Sequence, residues 1–284
     1  MIFILLPVHN RCDFTSAYLQ SLTTQELRTS ISVYVIDDNS TDTTPALLDE
    51  WARGLHSAFP VTVIRSNHDL WWAGAIQRGL GAVMPLLREE DFLYLANDDS
   101  IPDPHHFKAL LTRAEARPSE VVGTVAFEVW ETGHHHPVSA GFRIDTTNLE
   151  VVNISSEGES SRINALSARG LLIPAVAAKR IRMHPRLMPQ HFADISMTSA
   201  LRRSGVPLSV DHSATARQLA RAGSSVEFKP TVQGFFSKRS SLYLPALATF
   251  WWLESNWPQR LTLPWRFFFR GISQIRLRAY SWES

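Results

Sequence analysis

The chain of 284 residues reads as an α/β protein built on a doubly wound, mainly parallel sheet flanked by helices, with a C-terminal helical extension. Three observations predict this class. Short apolar runs over residues 2–8, 31–36, 61–64 and 92–95 alternate with stretches of helical spacing, the βαβ pattern of a parallel sheet. Three of these runs end in polar loops, Asn10-Arg11, Asp37-Asp38 and Asn97-Asp98-Asp99, and in an open α/β sheet such loops gather on the carboxyl edge, where ligands bind. No apolar run reaches the roughly 20 residues needed to cross a bilayer.

Taken in order, residues 2–8 form a buried strand that leaves through the loop Pro7-Val8-His9-Asn10-Arg11. Its apolar start resembles a signal peptide, but it lacks a charged leader and runs into Pro7 and polar residues, so it reads as a strand. A helix follows to about residue 24, with Asp13 or Thr15 as its cap. The second strand ends at Asp37-Asp38-Asn39-Ser40, and residues 43–55 carry Leu47, Leu48 and Trp51 on one helical side. After the third strand, residues 67–74 are a loop and 75–87 a helix. The fourth strand meets Asn97, Asp98 and Asp99 and is stopped by Pro102 and Pro104. Beyond residue 120 the pattern loosens. Residues 121–130 read as a strand, 155–162 as a polar loop and 170–174 as a short strand. A helix from Asp194 to about residue 204 is ended by Gly205 and Pro207, and Val210-Asp211-His212 closes a short strand.

Hydrophobic residues make up 44% and charged residues 19% of the chain, a globular composition that excludes a disordered one. The formal net charge of +1 hides an asymmetry: residues 260–278 hold five arginines, and only Glu283 is acidic beyond Glu254. Cys12 is the only cysteine, which rules out an intrachain disulfide and suits a reducing, cytoplasmic setting. Neither G-x-G-x-x-G nor a P-loop is present, so bound phosphates need a metal, basic side chains or helix N-termini. Gly133-His134-His135-His136 does not suggest zinc, because consecutive histidines do not share one face. Paired carboxylates at a strand end suit a hard divalent cation held together with substrate phosphates. The competing reading is an Asn-Asp-Asp turn that bonds its own backbone.

The order of these pieces resembles the inverting glycosyltransferases of family 2, which have the GT-A fold, from residue 2 to about residue 212. Pro7-Val8-His9-Asn10-Arg11 is similar to the family's P-x-x-N-R loop, and residues 35–42 to its V-D-D-G-S-T-D element, with Asn39 for the glycine. Residues 67–79 resemble N-x-G-x-x-x-A-x-N-x-G, although Trp71 and Trp72 precede Gly74 and Gln77 replaces the asparagine. Asn97-Asp98-Asp99 stands at the D-x-D position, and His191-Phe192-Ala193-Asp194 is similar to the E-D-x-D segment. The resemblance implies a nucleotide-diphosphate sugar donor (UDP or dTDP), a divalent metal (Mn2+ or Mg2+) and a saccharide or lipid-linked saccharide acceptor of bacterial surface polysaccharide or lipopolysaccharide. It implies Asp99 and His212 at the metal and Asp194 as general base. Pro7, His9, Asn10, Arg11, Asp37, Asp38, Asn67, Gly74 and Asp98 would line the nucleotide. Trp71, Trp72 and His191 would meet sugar or acceptor, with core packing the preferred reading of the two tryptophans.

The expected layout is a catalytic domain over 1–235, divided at 110 into nucleotide and acceptor halves, and an aromatic, basic extension over 236–284. The extension either touches the inner membrane surface, making the protein peripheral on its cytoplasmic face, or packs on the protein or a second copy. No nucleic-acid partner is expected. The alternatives are a nucleotidyltransferase, which the glycine-poor first loop disfavours, and a sugar- or nucleotide-binding protein without catalysis.

Overall fold

In the computed structural model, residues 1–26, 29–56, 59–129, 135–139, 141–154, 162–219 and 232–280 are described. The expected elements of the first half are present. Strand β1 (Ile2–Val8), helix α1 (Cys12–Thr23), β2 (Ile31–Asp37), α2 (Thr44–Ala52), β3 (Val61–Arg65), α3 (Trp71–Val83) and β4 (Phe92–Leu95) alternate as βαβ units. The strands pair in the order β3-β2-β1-β4, all parallel. β1 is an interior strand, between β2 and β4, with residues 2–6 at 6% exposure or less. A strand covered on both faces must be apolar throughout, which is why this segment looks like a leader peptide in sequence.

The second half extends the sheet. It comprises β5 (Ser100–Pro102), α4 (His106–Ala116), β6 (Val121–Val129), β7 (His135–Ser139), β8 (Gly141–Asp145), β9 (Glu150–Ile154), β10 (Ala165–Leu166), β11 (Leu171–Pro174), α5 (Ala175–Ala178), α6 (Ala193–Arg203) and β12 (Leu208–Gln218). β11 inserts antiparallel between β4 and β6, β12 runs parallel to β6, and β5 closes the edge against β12. A separate small sheet has the order β10-β8-β9. The chain ends in α7 (Leu244–Glu254) and α8 (Trp257–Tyr280). The GT-A arrangement implied by the sequence motifs, a large mainly parallel sheet between helices, is the one observed.

Three local expectations are corrected. Neither Asp13 nor Thr15 caps α1; the Thr15 hydroxyl turns inward and donates to Asp98 Oδ2 at 3.4 Å. Helix α3 begins at Trp71 rather than residue 75, because the Asp38 carboxylate accepts the amides of Leu70 and Trp71 and so starts the helix early. β12 is eleven residues long, with an irregularity between Asp211 and Thr215 that lets it follow β6 in two registers. The histidine run at 134–136 and most of the polar loop over 155–162 lie outside the described side chains.

Two apolar layers sandwich the large sheet. One packs α3 against β1 and β2, where a methyl on Gly79 would come 2.9 Å from Ile36 Cδ1 and 3.1 Å from Leu5 Cδ2. The other joins α1, α2 and α4 to the opposite face through Tyr18, Leu48, Trp51 and Phe107. The extension docks through a third cluster: Phe250 stacks on Phe192 at 4.8 Å, and the Ser199 hydroxyl of α6 donates to Glu254 Oε2 at 2.7 Å. Arg203 pairs with the same carboxylate, and burial raises the Glu254 pKa while Ser199 and Arg203 pull it down.

Buried His106 ties α4 to the sheet, with one ring nitrogen against the Thr215 carbonyl at 2.9 Å and the other against the Tyr94 hydroxyl at 2.8 Å. Burial lowers its pKa from 6.5 to about 4. Below pH 6.5 the unfolded chain takes up a proton that the fold resists down to about pH 4, so the contribution of His106 to stability falls as pH drops through that window. The expected loss from this group is about 3 kcal/mol. The buried Asp98 carboxyl, raised to about 7, contributes the opposite slope in both proteins, so the test is the difference between them: as pH drops through the window the urea midpoint of the native chain should lose ground to that of His106→Gln, and a constant difference would contradict the assignment.

Candidate functional site

The carboxyl ends of β1, β2 and β4 place their polar loops on one edge, as parallel pairing requires. Asn10 follows β1 with φ 51° and Asn39 follows β2 with φ 60°, both in the left-handed region that asparagine tolerates. This is why Asn39 can replace the glycine of the motif. The Asn10 side-chain oxygen accepts the amides of Thr41 at 2.7 Å and Asp42 at 3.2 Å, fastening the first loop to the second. His9 Nδ1 lies 2.6 Å from the Asp38 carbonyl, and its Nε2 lies 3.2 Å from the Asn10 carboxamide nitrogen. A carbonyl can only accept, so Nδ1 carries the proton and Nε2 accepts from Asn10. Pro7 sits inside β1, opposite Ile36, rather than in the loop.

Arg11 dominates the edge. Its guanidinium reaches Asp98 Oδ1 at 3.1 Å with one nitrogen and Asp99 Oδ2 at 3.2 Å with the other, while its carbon lies 4.5 Å from the Phe14 ring centre. The two carboxylates differ in setting. Asp98 is 2% exposed, and burial pushes its pKa up to about 7, with Arg11 pulling it down and the Asp99 charge pushing it up again. The Asp99 side chain is 21% exposed and faces outward. Buried Asp98 therefore anchors Arg11, and Asp99 is the member of the pair open to a ligand.

The second loop is built into the scaffold. Asp37 Oδ1 accepts the Ser40 amide at 3.0 Å. Asp38 accepts Leu70 N at 2.5 Å and Trp71 N at 2.8 Å, so its charge meets the N-terminal dipole of α3. Asn67 lies exposed in the turn before α3, next to His68 Nδ1 at 2.8 Å. Gly74 lies in the first turns of α3, where a methyl would stand 3.2 Å from Leu70 Cβ.

The acceptor-side segment is fastened to the same place. Pro189 accepts the Ala73 amide at 2.9 Å, and Gln190 Oε1 accepts the Trp72 amide at 3.2 Å. Trp72 Nε1 donates to Asn97 Oδ1 at 3.0 Å, which gives the asparagine at the first D-x-D position a structural partner. His191 Nε2 lies 3.0 Å from the Arg239 carbonyl, and Lys238 and Arg239 both approach the Trp71 ring at 5.9 Å. Asp194 stands in the first turn of α6, its Oδ1 accepting Ile195 N at 2.8 Å and its Oδ2 accepting Ala168 N at 3.1 Å. These bonds fix the carboxylate and leave each oxygen a lone pair.

The structure thus joins Arg11, Asp98 and Asp99 directly, and links Trp71, Trp72, Asn97, His191 and Arg239 through a chain of contacts. His212 is not among them. It lies in the middle of β12 and lines a cavity of about 550 Å³ with Arg113, Arg117 and Glu120, seven residues before Leu219, whose amide bonds the Asp99 carbonyl. Thr15, Gln190, Lys238 and Arg239 contribute without having been singled out as ligands in sequence. Only the adjacent cations Lys238-Arg239 carried a signal, since two neighbouring positive charges near a loop suit an anion.

Among the described residues no three His, Cys, Asp or Glu side chains converge on one point. The donor set instead suits a cation that takes one carboxylate here and its remaining oxygens from a bound diphosphate, the habit of Mg2+ and similar ions. Removing the Asp38 carboxylate as Asp38→Ala should destabilise the fold by about 1–2 kcal/mol through the lost cap of α3. Asp38→Asn should keep part of that stability, and equal urea midpoints for all three proteins would contradict the capping role.

Comparison with known proteins follows the same lines. No curated protein sequence matches significantly. Among solved structures, the GalNAc-T7 complex with UDP, GalNAc and Mn2+ aligns with TM-score 0.64 at 12% identity, over 92% of this chain and 57% of that one. A fragment of S. aureus TarS, residues 1–349, aligns with TM-score 0.56 at 16% identity, over 76% and 60%. The Pyrobaculum calidifontis mannosyltransferase PcManGT, in complex with GDP-Man and Mn2+, aligns with TM-score 0.57 at 12% identity, over 99% and 79%. The chain spans 60% of the TarS fragment and 36% of a longer TarS chain. At these identities the likeness shows the fold. The sequence model for glycosyl transferase family 2 matches residues 3–167, more than half of the chain. The chain belongs to glycosyl transferase family 2.

Proposed function

We propose that the protein transfers a sugar from a nucleoside-diphosphate donor, UDP- or dTDP-linked, to a saccharide or lipid-linked saccharide acceptor, with inversion at the anomeric carbon. Hexose and deoxyhexose donors both fit this reading. Synthesis of a bacterial surface polysaccharide or lipopolysaccharide is the proposed destination. The observation that carries the reading is outward-facing Asp99 beside Arg11, over buried Asp98, at the carboxyl edge of a parallel sheet. Family membership and neighbours crystallised with UDP-GlcNAc, or with a nucleotide and Mn2+, support it.

In this reading residues 1–110 serve the donor, 111–235 the acceptor, and 236–284 form the extension. Asp99 would hold a divalent cation together with the diphosphate, and that ion would supply charge neutralisation for the leaving group. Among the described residues, Arg11, Lys238 and Arg239 supply positive charge for the diphosphate oxygens as the bond to the sugar breaks. Asp194 accepts the proton of the acceptor hydroxyl. The acceptor oxygen then forms its bond to the anomeric carbon as the opposite carbon–oxygen bond breaks and its electron pair leaves with the nucleoside diphosphate. The backbone bonds from Ile195 and Ala168 keep the Asp194 carboxylate from rotating, so little reorganisation precedes proton transfer. The scheme assigns no step to His212.

Release of nucleoside diphosphate from UDP- and dTDP-sugars, assayed with bacterial envelope saccharides as acceptors, tests the scheme, with the anomeric configuration of product read by NMR. Asp194→Asn should lower kcat by roughly 10²–10⁴-fold while donor binding stays near native. Retained anomeric configuration, or native turnover by Asp194→Asn, would contradict it.

A further inference from the structure

Helix α8 has a fixed inner side. Leu263 is 5% exposed, Phe267 packs with it in the cluster that holds α7, Gln259 Nε2 donates to the Thr146 hydroxyl at 3.0 Å, and Arg266 donates to the carbonyls of Thr146 and Thr147. These contacts prevent the helix from rolling. They leave Trp257, Leu261, Trp265, Phe268 and Phe269 on the outer side, each at least 60% exposed. Their spacing of four, four, three and one keeps them on one helical face. The exposed positions between them are Pro258, Thr262 and Pro264, so no charge interrupts the face over residues 257–269. Trp252 of α7, 49% exposed, adds a further ring, with Arg260 placed 5.3 Å above it.

Five large apolar side chains on one exposed turn-and-a-half after another form a patch that a monomer in water does not normally leave bare. The charge around it selects the occupant. From residue 255 to residue 282 the sequence has five arginines and no Asp or Glu. A second copy seated symmetrically on this face would bring like charges together. An anionic lipid surface supplies the complementary charge, apolar depth for leucine and phenylalanine, and the interfacial region that tryptophan prefers. No helix among the described residues is long and apolar enough to cross a membrane, so α8 is suited to lie on one.

We propose that α8 docks the protein in the plane of an anionic bilayer surface through Trp257, Leu261, Trp265, Phe268 and Phe269. The docked helix is coupled to the candidate acceptor side, because α7 and α6 share the Glu254 contacts and α6 begins at Asp194's own turn. This inference stands apart from the transfer reading, since lipid binding is measured without any sugar donor.

The test is flotation of the full chain with phosphatidylcholine vesicles, with and without phosphatidylglycerol, alongside the combined variant Trp257→Ser, Leu261→Ser, Trp265→Ser, Phe268→Ser. The native chain should float with the anionic vesicles, with a blue shift of tryptophan emission, and the variant's bound fraction should fall at least about tenfold at an unchanged melting temperature. A second variant, Trp265→Ser alone, keeps the test valid should the combined variant misfold, and it should weaken binding while preserving the fold. Absence of flotation, undiminished binding by these variants, or a lipid-independent dimer that dissociates when Trp265 is replaced would overturn the proposal.

Discussion

One guanidinium holds the site edge together. Arg11 follows the interior strand β1 and binds the two carboxylates that follow the neighbouring strand β4, one buried and one open. Two adjacent carboxylates this close repel, and Asp98 also bears the cost of burial; Arg11 offsets both. The cation is partly exposed, so its stabilising share is modest, but its geometry sets which carboxylate is left to face a ligand. Arg11 thus sets a positive charge directly beside the open carboxylate of Asp99.

Around this triad the loops are fastened through backbone groups. Asn10 holds the second loop, Asp38 holds the start of α3, and α3 in turn holds residues 189–190, from which α6 and Asp194 follow. Loops fastened in this way have little freedom to move relative to one another. The fastening also assigns structural work to several side chains whose type suggested direct ligand contact. The carboxylate of Asp38 and the carboxamides of Asn10 and Asn97 each answer an internal donor.

Much of the architecture was legible because parallel strands buried on both faces must be apolar and must alternate with helices. The carboxyl-edge loops were legible because Asp and Asn cluster where strands stop. The antiparallel insertion of β11 between β4 and β6 was not, since a four-residue strand carries almost no periodicity and its neighbours come from distant sequence. The early start of α3 was hidden for a related reason: its cap is supplied by Asp38, more than thirty residues earlier. His212 shows the limit of motif reading. Its residue type suited a metal, but β12 sets it at the mid-strand irregularity, seven residues before Leu219, whose amide meets the Asp99 carbonyl. The aromatic tail was visible as composition, whereas which of its residues face outward depended on the contacts of Leu263, Arg266 and Gln259.

Titration calorimetry of UDP, dTDP and GDP into the native chain and Asp99→Ala, each with and without Mn2+, tests the central claim about the carboxyl edge most directly. The account predicts that a nucleoside diphosphate binds the native chain in a metal-dependent way and that Asp99→Ala loses the metal-dependent part, with its melting temperature little changed. Metal-dependent binding that survives in Asp99→Ala, or no binding of any nucleotide to the native chain, would contradict it.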